Sequence, residues 1–74
     1  MRDPAGSRQS VLAYRQALEN AVRTEELLAS HLTLLADELE QQGQSEIADM
    51  LQQASHHHRV NSMMNTALMK ALGS

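Results

Sequence analysis

Residues 35–51 read LADELEQQGQSEIADML, and this stretch decides the fold. Gly43 stands where a residue in the left-handed conformation is favoured, directly after the last turn of a helix. Ser45 can cap a second helix, and Glu46 lies near the positive N-terminal end of that helix. The stretch therefore predicts two helices joined by a turn at residues 43–44. A turn this short requires the two helices to lie antiparallel.

Working outward from the turn, the apolar residues on each side recur mostly at steps of three and four, which predicts two long helices. The first stripe, in a helix of about residues 8–42, is Val11, Tyr14, Leu18, Ala21, Leu28, Leu32, Leu35 and Leu39. The second, in a helix of about residues 45–72, is Ile47, Leu51, Ala54, His58, Asn61, Asn65, Leu68 and Leu72. We expect these stripes to face each other within the hairpin.

Composition limits the chain to one small domain that needs help to be stable. It has 74 residues, no cysteine and a single aromatic residue, Tyr14, so disulfides and thiolate metal sites are excluded. Residues 1–6 (MRDPAG) are predicted to be a flexible lead, and residues 7–74 a single helical-hairpin domain. Domains of this size usually depend on a metal or on oligomerisation when they have no disulfides.

The first helix is apolar over more than one stripe, which indicates a second interface. Leu27 and Leu34 lie away from the predicted seam, and Val22, Ala29 and Ala36 lie on another flank. The smallest closed solution is a homodimer with twofold symmetry that forms a four-helix bundle, with a higher homo-oligomer as the alternative. We thus predict an all-α protein, a two-helix antiparallel hairpin that homodimerises.

Several functional classes are excluded or disfavoured. The net charge of −3 argues against nucleic-acid binding, which needs a basic face. No apolar run approaches the length of a membrane span and no signal-peptide core is present, so no membrane association and a cytoplasmic location are expected. The chain has no glycine-rich phosphate loop and no serine in a nucleophile context. We predict no catalytic residues, no organic-cofactor site and no complete enzyme active site.

Both stripes are interrupted by polar residues at the same height. If Leu39 faces Ile47 across the turn, then Leu28 faces His58 and Glu25 faces Asn61. A carboxylate buried without a partner costs several kcal/mol, so Glu25 needs a partner that His58 or Asn61 can supply. The layer either fixes register and oligomeric state, or lies at a solvent-exposed bundle edge, or holds a metal.

The segment from Glu25 to Asn61, about half of the chain, resembles the first two helices of ferritin-like proteins. The likeness is to rubrerythrins and to two-helix encapsulated ferritins, and it rests on Glu25 and on the junction LADELEQQGQSEIADML. In that family the first helix supplies a Glu and the second supplies Glu-x-x-His. Glu25 matches the first of these, whereas the second motif reads His58-x-x-Asn61 in this chain.

The resemblance implies a metal site at the subunit interface. Its ligands would be Glu25 and His58, with Asn61 as a weaker or outer ligand and His57 as a further candidate, and the ion would be Fe, Mn or Zn. The leading hypothesis is a small ferritin-like, metal-associated bundle protein. The alternative is a structural or protein–protein interaction module, binding its own copy or another protein, in which the polar layer sets the register.

Overall fold

The computed structural model describes residues 4–73, which form two helices, α1 (Pro4–Gln41) and α2 (Ser45–Gly73). The predicted all-α hairpin is confirmed. α1 begins at Pro4, inside the segment predicted to be a flexible lead; proline is tolerated in a first helical turn because its missing N–H has no partner there. Residues 1–3 of that lead, and residue 74, lie outside the described residues.

The turn between the helices is built around Gly43, whose φ of 81° lies in the left-handed region. The Gln44 amide donates to the Leu39 carbonyl at 2.8 Å, and the Gly43 amide donates to the Glu40 carbonyl at 3.0 Å. This pair of bonds is the Schellman motif, which satisfies carbonyls at a helix C-terminus. The Ala48 amide then donates to the Gln44 carbonyl, so Gln44, and not Ser45 as predicted, holds the N-cap position of α2.

The hairpin is a thin rod of 62 × 16 × 14 Å. Its radius of gyration is 17.4 Å, whereas a compact domain of this length has one of about 11 Å. α1 is longer than α2, and the Arg15 guanidinium lies beside Gly73, so the first turns of α1 extend beyond the end of α2. Because the rod is only two helices wide, much of its surface remains open.

The two helices meet mainly through small side chains, and the predicted seam of large ones is correct at Leu18, which is 8% exposed, but wrong at Leu28 and Leu35. Ala29 and Ala36 of α1 are each 1% exposed, and Ser55 of α2 is fully buried, while Leu28 and Leu35 are 41% and 45% exposed. We call the buried small residues the small-residue seam; they recur every seven residues and are Ala29, Ala36, Ala48, Ser55 and Ser62. Small side chains let two helix backbones approach closely, and leucines at these positions would hold them apart.

The register across the pair agrees with the prediction. The Ser55 hydroxyl reaches the Ala29 carbonyl, and the Ser62 hydroxyl reaches the Glu26 carboxylate. Along the axis of the rod, these contacts place Ser55 of α2 level with about residue 31 of α1, and His58 level with about Leu28. The sequence therefore predicted the height of each residue correctly but placed the seam about a quarter turn away from its true position.

Most of the other residues of the predicted stripes lie instead along one side of the rod, where His58, Asn61 and Asn65 interrupt an otherwise apolar surface. Consecutive residues of a helix are rotated by about 100° from each other around its axis. In an antiparallel pair, the residues directly before the seam residues of α1 and of α2 therefore lie on the same side of the pair. We call this surface the leucine face; it comprises Leu28, Leu32, Leu35, Leu39, Ile47, Leu51, Ala54, Leu68 and Leu72. The residues that follow seam residues are mostly polar and lie on the opposite side, and they are Ser30, Asp37, Asp49, His56 and Met63.

Candidate functional site

The leucine face is interrupted near its middle by a contact between Glu25 of α1 and His58 of α2. The His58 Nδ1 atom meets the Glu25 Oε2 atom in a short hydrogen bond. The His58 side chain is 27% exposed and that of Glu25 is 21% exposed. An ionised carboxylate has no proton to donate, so Nδ1–H is the donor to it, and a ring that carries its one proton on Nδ1 keeps a lone pair on Nε2.

A hydrogen-bonded chain on the opposite side of the seam fixes the backbone beside this pair. Arg59 Nη2 donates to Thr33 Oγ1 at 3.3 Å. Thr33 Oγ1 lies 2.8 Å from Ser55 Oγ, and Ser55 Oγ donates to the Ala29 carbonyl at 2.9 Å. Because Ser55 uses its one proton on that carbonyl, Thr33 must donate to Ser55. Ser55 is one turn before His58, so this chain sets the height at which His58 meets α1.

A second polar contact lies one turn further along α2. Ser62 Oγ donates to Glu26 Oε1 at 3.3 Å, and Ser62 belongs to the buried seam. Glu26 and Glu25 are consecutive, yet they pair with residues on different sides of the seam. Glu26 therefore supports the packing of the hairpin, while Glu25 turns toward the leucine face. Among the side chains of residues 8–73, no buried nitrogen or oxygen lacks a hydrogen-bond partner.

The other predicted ligands are not brought into the same contact. The His57 ring meets the His58 ring edge to face, with centroids 6.1 Å apart, and His57 and His56 are exposed. Asn61 is half-buried on the same helix face as His58, one turn away, with no hydrogen bond to Glu25 or to His58. Of the four predicted site residues, Glu25 and His58 are the pair in direct contact.

A two-metal centre bridged by carboxylates does not fit this arrangement. Such a centre needs several acidic and imidazole side chains that converge, as in the Glu and Glu-x-x-His set of ferritin-like proteins. Across the described residues, no group of three or more His, Cys, Asp or Glu side chains is placed to hold a metal ion. The histidine-x-x-asparagine of α2 also lacks the bridging carboxylate. At this contact, the described residues of one chain bring together one imidazole and one carboxylate.

The sequence prediction did not single out the residues that position this pair, which are Thr33, Ser55, Ser62, Arg59 and Glu26. A signal was present in the seven-residue spacing of Ala29 with Ala36 and of Ala48 with Ser55 and Ser62. That spacing marks a seam of small residues, at which buried hydroxyls need hydrogen-bond partners across the pair.

No protein-family model, no curated protein and no solved structure matches this chain. Neither α1 nor α2, over the described residues, has a stretch that is long and apolar enough to cross a membrane.

Proposed function

We propose that this protein is a self-associating interaction module, in which two copies pair through the leucine face to form a four-helix bundle. The observation that carries this proposal is the exposure of the large apolar residues while small ones fill the seam. Of the described residues, the buried apolar ones are Leu18, Ala29, Ala36 and Ala48. Three alanines and one leucine supply too little apolar burial to stabilise a hairpin of this length alone.

The accessible area supports the same proposal. The chain exposes 5766 Å², whereas a compact monomer of its mass exposes about 4,500 Å². The excess of about 1,200 Å² is larger than the ~800 Å² that each partner contributes to a standard interface. Covering the leucine face would thus turn an open two-helix rod into a bundle with an ordinary core.

A second copy is the partner that this face fits best. Twofold association places the same patch on both sides of an interface, so the patch must be self-complementary. Most of the leucine face is apolar; within residues 8–73 it is interrupted by the ionisable pair Glu25 and His58 and by the half-buried amides of Asn61 and Asn65. Glu25 and His58 pair with each other across the hairpin, so neither needs a separate charged partner from outside the chain. His58 also lies equally far along the chain from Gly43 and from Gly73, near the centre of the paired helices.

The test is to measure the mass of the protein in solution. Substitutions at two neighbouring leucines, one on the leucine face and one on the back of α1, serve as test and control. By sedimentation equilibrium we expect twice the chain mass of 8.2 kDa. Leu35→Glu, on the leucine face, should yield monomer or unfolded chain. Leu34→Glu, on the back of α1, should leave the dimer intact. A chain that is monomeric and helical at tens of micromolar, or equal effects of the two substitutions, would refute the proposal.

A second candidate function is metal binding at the subunit interface, as the ferritin-like resemblance implies. The contact between Glu25 and His58 favours it, because it places one imidazole and one carboxylate on the face where two copies would meet. Under this second candidate function, the ferritin-like resemblance concerns the shape of the bundle and the location of the metal site. It does not extend to the two-metal chemistry of ferritin-like proteins.

A further inference from the structure

We infer that the dimer binds one borderline divalent transition-metal ion, of the zinc class, between the two His58 imidazoles, with Glu25 acting as the residue that orients each ring. The inference rests on the dimer proposed above and specifies what its central polar pair does.

The orientation of His58 is the first step. Its Nδ1 atom contacts Glu25, which leaves Nε2 as the ring nitrogen on the side away from that contact. Metal-binding histidines typically donate the second ring N–H to a carboxylate, which fixes the tautomer and raises the basicity of the other nitrogen. The contact of His58 Nδ1 with Glu25 has this arrangement. Glu25 is therefore a positioning residue in this scheme, in contrast to the direct ligand predicted from the sequence.

The location of His58 is the second step. It belongs to the stripe of Leu51 and Ala54 on the leucine face, and its side chain is 27% exposed in the single hairpin. A twofold axis that crosses the face at the centre of the paired helices passes close to His58, because Gly43 and Gly73 are equally distant from it along the chain. Two such hairpins bring two Nε2 atoms toward one point.

The chemistry of the donors is the third step. Neutral imidazole suits zinc, copper, iron and nickel, whereas magnesium and calcium prefer oxygen ligands. Zinc takes four ligands, and the two imidazoles leave two positions for water. Asn61, half-buried one turn from His58, is the nearest further side chain on this face with an oxygen donor. A buried site of this kind would also stabilise the dimer, because binding to an assembled state adds to its stability.

The experiment is a titration of the purified chain, first freed of metal with a chelator, with Zn²⁺ and with Co²⁺ as a spectroscopic probe. We expect native mass spectrometry to find one ion per two chains, and Co²⁺ to give visible absorption bands of a low-coordinate nitrogen site. His58→Ala should abolish both. His57→Ala and His56→Ala, which alter the two exposed neighbours, should preserve both.

Two further variants separate the roles of the pair. His58→Asn keeps a side-chain N–H for Glu25 but lacks the Nε2 donor, so it should remain a helical dimer without the ion. Glu25→Gln should weaken Zn²⁺ affinity by about 10- to 100-fold without changing the stoichiometry, as expected of an orienting residue. If His58→Asn bound the ion as the parent chain does, or if His56→Ala and His57→Ala removed the binding, the assignment would be overturned.

The outcomes also distinguish this inference from the proposal beneath it. A chain that is dimeric in chelator and binds no stoichiometric ion would refute the metal site and leave the self-associating module standing. A chain that stays monomeric with and without Zn²⁺ would refute both. A chain that dimerises only when Zn²⁺ is added would support the site and make the ion part of the interface.

Discussion

The Ser55 hydroxyl donates to the carbonyl oxygen of Ala29 across the helix pair, over 2.9 Å, and Ser55 is fully buried. The buried Ser55 oxygen also needs a hydrogen-bond donor, and the Thr33 hydroxyl supplies it at 2.8 Å. These bonds join two backbones that approach through alanine and serine. They make Ser55 the most constrained position in the seam.

We expect Ser55→Ala to lower the free energy of unfolding by about 1 kcal/mol, because the Thr33 hydroxyl loses its acceptor while little volume is removed. Ser30→Ala, on the exposed polar side of α1, is the matched control and should change stability little. Urea denaturation at one fixed chain concentration measures both, since the stability of a dimer depends on concentration. Equal stability of Ser55→Ala and the parent chain would argue against the hydrogen-bonded seam.

The small size of the seam residues gives a second prediction. Ala36→Leu adds bulk at a position that is 1% exposed, and we expect it to destabilise the hairpin by about 1–3 kcal/mol by forcing the helices apart. Ala67→Leu makes the same change at an exposed position of α2 and should be close to neutral. Thermal unfolding followed by circular dichroism compares the two. Tolerance of leucine at residue 36 would mean that the seam lies elsewhere.

Gly43 provides a test of the turn that is free of packing effects. Its φ is 81°, and a Cβ atom built on it meets nothing within 4 Å, so a substitution there is opposed by backbone conformation alone. We expect Gly43→Ala to cost about 1–2 kcal/mol, and Gly43→Asn to cost less because asparagine visits the left-handed region more readily. Denaturation midpoints rank the three chains, and an alanine variant at least as stable as the asparagine variant would contradict this account.

The Glu25–His58 pair predicts an order of stability among apolar replacements. His58→Leu alone should weaken the dimer, because it leaves Glu25 buried at the interface without its partner. The double replacement Glu25→Leu with His58→Leu should restore stability or exceed that of the parent by about 1–4 kcal/mol, with loss of a single oligomeric state. Analytical ultracentrifugation with denaturation measures both quantities. If the double variant were less stable than both the parent chain and His58→Leu, the Glu25–His58 pair could not serve only to set the register of the helices.

The sequence predicted the architecture well because its signals were local. Gly43 marked the turn, the steps of three and four marked the helices, and the short connection fixed both their direction and their register. The coincidence in height of Glu25 with the second-helix interruption also led to the pair that the structure brings together, although the predicted facing residue, Asn61, is one turn from the actual one, His58.

The seam could not be predicted in the same way, because hydrophobic periodicity weighs a leucine above an alanine. Leu28 and Ala29 are adjacent, and both continue a seven-residue repeat, so either could have faced α2. What decides between them is how close two backbones can approach, which depends on side-chain volume in the folded pair. The pairing of Ser62 with Glu26 escaped prediction for a related reason, since a serine inside a seam carries little signal in a hydrophobic pattern.

The shape of the hairpin has a consequence for how an assembly would diffuse. The rod is 62 Å long and 16 × 14 Å in cross-section. A partner laid along the leucine face would double the cross-sectional area with little change in the longest dimension, whereas end-to-end association would nearly double the length at constant width. Small-angle scattering separates these two cases without any substitution, because the cross-sectional and the overall radii of gyration respond to different axes of the particle.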